Sequence, residues 1–519
     1  MTRTTKAQPI AQPSRTTEPD AAPLPGDLKP IRGEDFGYAQ ARHLLWRAGF
    51  GGTPEQVQTL AGWGPEKSVD YLIDFEKVDY EDPESEGFDS DVMRPASQAE
   101  RTAYRQAQAR GDEDAVARFR SLRQAAQRDD RQQFREMQRW WVARMIETPR
   151  PLEEKMTLFW HGHFAASYRG VEDSWHMLRQ NQFFRTNAVG SFADLLHGII
   201  RDPAMLAYLN NNQSTKRMPN ENLAREIMEL FSLGEGNYTE QDIKQGARAL
   251  TGYSFDDDEF VFRQNQHDSG NKRILGINGG LDGDGFVNAI LSRPECSRFI
   301  AAKLYRFFCR DIPLVSEQQD PVTRRVVSEM ASSLRQNSYR VAPVLRRLLL
   351  SRHFHHESVR LEQIKSPAVL VVGLVRSLNT PPRELGTLTE AMTLMGQTPM
   401  APPSVKGWEG GTTWINTSTL FARQNIAAYL LTGRQPRRGR AEGSRFDPDS
   451  LMAPLRESGG LEDPAVAADY LLRFAMGRTS TSARATLVQF VSEHGGQITP
   501  PIVTGMLLLI TAMPEYQLC

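Results

Sequence analysis

Apolar residues recur three and four positions apart along most of this chain, and strict apolar/polar alternation is almost absent. That spacing predicts helices over Pro151–Trp160, Asn220–Leu233, Thr239–Thr251, Asp284–Leu291, Pro294–Cys309, Val322–Asn337, Val341–Ser351, Pro367–Leu378 and Ser418–Leu431. The exception is Tyr253–Gln264, where Phe255, Phe260 and Phe262 stand among acidic residues and fit a hairpin. The expected fold class is all-α: a multi-helix orthogonal bundle with at most one short β-hairpin and a small C-terminal helical lobe.

Residues 1–34 contain Pro9, Pro13, Pro19, Pro23, Pro25 and Pro30 but no apolar run, so a disordered tail is expected there. The main helical domain is expected over 35–432. It opens with a helix, a glycine turn at Gly49–Gly52, and a second helix capped by Thr53 with Pro54 first and Gln56 third. Within it, residues 99–144 are Arg-rich and read as two long solvated helices broken at Gly111-Asp112, an insertion with no site assigned. A Pro/Arg/Gly-rich linker over 433–448 precedes the expected C-terminal lobe, 449–519.

Composition removes several function classes. Lys plus Arg number 62 against 63 Asp plus Glu, so no basic surplus exists to hold a nucleic-acid backbone, and no nucleic-acid partner is expected. Cys296, Cys309 and Cys519 show no CxxC spacing, which argues against structural zinc and for a reduced compartment. The longest apolar stretches, Ala368–Val375 and Gly505–Met513, are far shorter than the roughly 20 residues that span a bilayer, so no transmembrane segment is expected. No secretory signal pattern opens the chain, which makes cytoplasm the default location. The glycine loops of nucleotide folds, the serine-hydrolase elbow and HExxH are all missing from the sequence.

Four constellations carry candidate chemistry. In Phe159-Trp160-His161-Gly162-His163-Phe164, extended backbone would aim both imidazoles at one divalent metal, whereas a continuing helix would separate them by about 200°. In the Asn210 to Phe231 region, Glu226 falls beside the stripe Leu223, Ile227, Leu230 and Phe231. Asn222, Glu226 and Glu229 share one flank, and Asn210 and Asn220 are further candidate ligand contacts. A carboxylate pressed inward needs a cation, donors or a raised pKa. Arg248 is the simple partner; the sharper reading makes Glu226 a base or metal ligand facing His161 and His163. His267, beside Asp268, is a candidate general base, and Asp268 a candidate binding residue. In Gly280–Asn288 a calcium loop lacks essential ligands, and Asp284 is expected to cap the following helix. The fourth is Pro402–Asn416, a Gly/Pro loop that presents Trp408 and Trp414 ahead of Asn416, either as ligand platforms or as a cap on the core.

Taken together, Arg42–Gly51, Phe159–Phe164, Pro219–Gly234 with Gly236–Glu240, Ala249–Gly252, His267-Asp268, Arg298–Phe308 and Gly407–Arg423 resemble, in order, the bacterial domain of unknown function 1800. The resemblance implies one large helical domain and brings no established activity. It also implies export for many members and an adjacent gene encoding a second exported family, so the periplasm or envelope stands beside the cytoplasm.

Two function classes follow. The first is an interaction or assembly protein that holds a partner protein, such as an adjacent gene's product, through the tryptophan loop and neighbouring helices. The second is a metal-assisted hydrolase or related enzyme using His161, His163, Glu226 and His267, with His161, His163 and Glu226 as metal ligands.

Overall fold

A computed structural model describes residues 23–81, 87–380, 384–434 and 446–519. Its described residues are predominantly α-helical, with two small two-stranded antiparallel sheets. The expected hairpin pairs Tyr253–Asp256 with Glu259–Phe262, in the register Tyr253↔Phe262, through a turn in which Asp257 takes φ +53°. The second sheet, Lys272–Ile274 with Ile277–Gly279, exceeds the single hairpin expected. Its strands are three residues long, too short to show alternation. The turn residues Leu275 and Gly276 carry the positive φ values that two-residue hairpins favour.

Local signals account for the helix boundaries. Thr53 and Gln56 cap each other reciprocally at the start of Pro54–Trp63. Gly111, at φ +67°, ends Gln98–Arg110, and Asp112 caps Glu113–Glu147 through the Ala115 amide at 3.0 Å. The second half of that long helix buries Phe134, Met137, Trp141 and Met145.

The core falls into two clusters, and the Pro151–His163 helix, buried nearly all round, contributes to both. Leu152, Met156 and Trp160 belong to one cluster and Leu158 to the other. The first cluster joins the opening helices to Pro294–Phe308, Pro321–Gln336 and Val341–Leu350. The second joins the long helix to Pro367–Leu378, Leu385–Leu394, Thr417–Thr432 and the C-terminal helices. Leu471 and Leu507 thus share a core with Leu374 and Leu430, and Arg42 Nε donates to the Phe474 carbonyl at 3.3 Å.

Of the expected tail, residues 1–22 lie outside the described residues, whereas 23–34 is anchored at a few points and otherwise exposed or half-buried. Leu28 is buried, the Ile31 amide donates to the Leu350 carbonyl at 2.8 Å, and Asp27 pairs with Arg352. Of the expected linker, residues 435–445 lie outside the described residues. Among the described residues no helix is long and apolar enough to cross a membrane.

Candidate functional site

Pro151 starts a helix that runs unbroken through His163, so the two histidines leave it in different directions. His161 is fully buried, with Nε2 3.0 Å from Asn181 Nδ2 and its ring centre 4.9 Å from those of Trp141 and Phe184. Burial, and then the Arg185 cation, push its pKa down to about 3. Beside it, Trp141 Nε1 donates to Glu154 at 2.8 Å, and Glu154 is gripped by Arg144 and Arg185. His163 sits instead among Phe159, Phe164, Phe192 and Phe231, where its Nε2 meets the Phe231 carbonyl at 2.9 Å. Burial holds it well below the usual imidazole range. The structure does not bring His161, His163 and Glu226 together as one ligand set. Helical spacing parts the two rings, and among the described residues no three His, Cys, Asp or Glu side chains form a metal-holding group.

Glu226 ends a short α-helical turn, Asn222–Glu226, and Ile227–Ser232 continues as a π-helix. The wider π turn was not legible in the apolar spacing; such turns often mark functional sites. Glu226 is half-buried and makes no hydrogen bond or ion pair among the described residues. Burial first, then the Glu229 charge, raise its pKa against the opposing pull of Arg225 and Lys406. Glu229 accepts from the Tyr238 hydroxyl at 2.7 Å. Arg225 pairs with Glu221 and Glu240.

The remaining polar candidates have structural partners. Arg248 pairs with Asp268 at 2.7 and 3.0 Å rather than with Glu226. His267 Nδ1 meets the Thr251 carbonyl at 2.8 Å, so Asp268 does not orient it for base chemistry. Asn220 ties a turn together: its Nδ2 donates to the Asn210 carbonyl at 3.0 Å and its Oδ1 accepts from the Asn222 amide. Asn210 supplies the left-handed residue of that turn, at φ +56°. Asp282, not Asp284, caps the Gly283–Leu291 helix; Asp284 pairs with His197 and Arg201.

The tryptophan loop lies on the His-Gly-His segment. Gly407, at φ +81°, stands so close to the Gly162 carbonyl that any Cβ would collide with it. A Cβ on Gly162 would lie 3.3 Å from the Trp408 ring. Lys406 is thereby brought near Glu226, and the Glu409 carbonyl near Arg306 at 3.4 Å. Trp408 is half-buried, Trp414 is buried against Gly396, and Asn416 caps Thr417–Thr432 through the Thr419 amide at 3.0 Å. This arrangement joins the histidine segment, the loop and, through Lys406, Glu226; it does not include His267, Asp268 or the asparagine turn.

Two features escaped the sequence reading. Lys303 lies on the Phe299 and Phe307 line of the Pro294–Phe308 helix, a cation on an apolar stripe, and that position was the available signal. Leu394 (60% exposed), Leu420 (38%) and Phe421 (67%) are exposed on the Leu385–Leu394 and Thr417–Thr432 helices, which pack together. Trp414, just ahead of the second helix, packs at Gly396, just after the first.

No curated protein and no solved structure is matched by the chain. Its sequence matches the family described as protein of unknown function, DUF1800, over residues 43–518, and a match of that extent means that the chain belongs to this family.

Proposed function

We propose that this is an interaction or assembly protein whose partner protein docks on the face formed by Leu394, Leu420 and Phe421 beside the Trp408 loop. The observation that carries the reading is the exposure of three large apolar side chains on two helices that pack together. Aromatic and aliphatic anchors of this kind dominate the centres of protein interfaces, where their burial contributes most of the affinity. Leu394 and Phe421 lie outside the packing of either core cluster, so the fold does not need them for its own stability. The product of the adjacent gene is the first partner to test.

The test compares tagged wild type with a Leu394→Glu, Phe421→Glu double variant, each recovered from native cells. The reading expects one partner in stoichiometric amount with the wild type, its loss from the variant, and equal melting temperatures. Equal retention of that partner by the variant, or no stoichiometric partner with the folded wild type, contradicts it.

A second reading, an enzyme, is favoured by one observation: Glu226 is half-buried, has a raised pKa and has no hydrogen-bond or ion-pair partner among the described residues. In that reading Glu226 works as an acid or base without the histidines. Replacement by Gln would abolish turnover while leaving the fold intact.

A further inference from the structure

The Glu113–Glu147 helix carries Arg128, Arg131, Arg135 and Arg139 at i, i+3, i+7 and i+11, a spacing that sets four guanidinium groups on one line about 16 Å long. All four are exposed, and among the described residues none of their side chains makes a hydrogen bond or ion pair. Like charges three and four apart destabilise a helix, so the line is held against its own repulsion. The acidic residues that the same helix offers are turned elsewhere. Asp130 accepts from the Tyr168 hydroxyl at 2.6 Å and from the Ser174 amide at 2.8 Å. Glu136 accepts from Gln132 at 3.1 Å and projects, with Asp129, about 100° to one side of the line. Arg139 lies against the start of the Leu385–Leu394 helix, where a Cβ on Gly386 would stand 3.5 Å from its guanidinium. No lysine stands between Lys77 and Lys155, so every cation of this segment is the flat, five-donor group that meets carboxylates through paired hydrogen bonds.

We propose that this line is a docking surface for an acidic segment of a partner protein, whose carboxylates, spaced about one helical turn apart, pair with Arg128, Arg131, Arg135 and Arg139. The surrounding charge favours a narrow acidic segment over the broad phosphate lattice of a nucleic acid or a membrane. Asp129 and Glu136 flank the line, Asp112, Glu113 and Asp114 stand at the start of the helix, and the whole chain carries a net charge of −1. This surface lies on a different helix from Leu394, Leu420 and Phe421.

The probe is a fluorescein-labelled, alanine-based helical peptide with glutamates at i, i+3, i+7 and i+11, titrated with the full-length protein at low salt and followed by anisotropy. Its comparison is a peptide of the same composition with the glutamates spread around the helix. The wild type is expected to bind the first peptide at least about tenfold more tightly than the second, and the preference is expected to shrink as salt is added. An Arg131→Glu, Arg135→Glu variant is expected to lose at least about tenfold of that affinity without a lower melting temperature, since it relieves repulsion within the helix. Arg217→Glu with Arg325→Glu, two exposed positions elsewhere, makes the same change in net charge and is expected to leave binding within about twofold. Equal affinity for the two peptides, no binding of either, or an equal loss in the control variant overturns the proposal. So does tighter binding of an oligothymidylate or of phosphatidylglycerol vesicles than of the spaced peptide. The comparison of peptides on the wild type decides the matter even if a variant does not fold.

Discussion

Gly407 packs directly on the backbone of Gly162, so two motifs far apart in the chain meet with no side chain between them. The contact explains why glycine separates the two histidines: a side chain there would press on the Trp408 ring. It also fixes Lys406 near Glu226.

Replacing Gly407 by Ala combines a left-handed backbone with a collision against the Gly162 carbonyl, and neither backbone can yield cheaply. The expected loss is about 2–4 kcal/mol in denaturant unfolding. Gly162→Ala meets only the edge of a half-buried ring and is expected to lose clearly less. Equal effects of the two substitutions would show that the close approach is not formed.

Glu154 is enclosed, and burial alone would raise its pKa, but Arg185 and Arg144 outweigh that and hold it below the usual carboxylate value. Its stabilising contribution is therefore present above the unfolded-state pKa and is lost as pH falls through the lower folded-state value. Glu154→Gln removes the charge that Arg185 and Arg144 share, although Arg144 keeps its pair with Glu153, and is expected to cost about 3–5 kcal/mol at pH 7. Urea unfolding measures it, and a loss below 1 kcal/mol contradicts the arrangement.

His43, His161, His163 and His355 are all held below the ordinary imidazole range by burial, His161 and His355 to about 3. Unfolded imidazoles take up protons near 6.5, so the stability these groups contribute is complete above that pH and falls as pH drops toward the folded values. Each adds a slope of about 1.4 kcal/mol per pH unit below 6.5. Imidazole NMR signals of His161 and His163 are expected to stay neutral from pH 8 to 5; a midpoint near 6.5 for either contradicts its enclosure.

Because His161 and His163 diverge, dialysis against a chelator is expected to leave the melting temperature unchanged, and His161→Gln is expected not to alter zinc or manganese content. A stoichiometric metal lost on that substitution would contradict that expectation.

The helices were legible because their signals are local: the Thr53/Gln56 cap, the Gly111 stop and the three-and-four spacing each act within a turn or two. The alternatives for His161 and His163 were legible too, and helix continuity decided between them. The π turn after Glu226 was hidden because it changes the backbone hydrogen-bond register without changing which residues are apolar. Likewise, the pairing of Arg248 with Asp268 and the meeting of Gly162 with Gly407 depend on tertiary packing, which no local spacing encodes. The C-terminal helices were read as a lobe because a polar, glycine-rich stretch precedes them. Their apolar faces share a core cluster with Trp46 and Phe50.

The docking face is tested most directly by placing a photo-crosslinking phenylalanine analogue at Phe421 in the protein's native cells, with the same analogue at Arg456, an exposed position on the Asp449–Glu457 helix, as control. The account predicts one discrete protein adduct from position 421 and none from 456. No adduct at 421, or the same adduct from both positions, would contradict it.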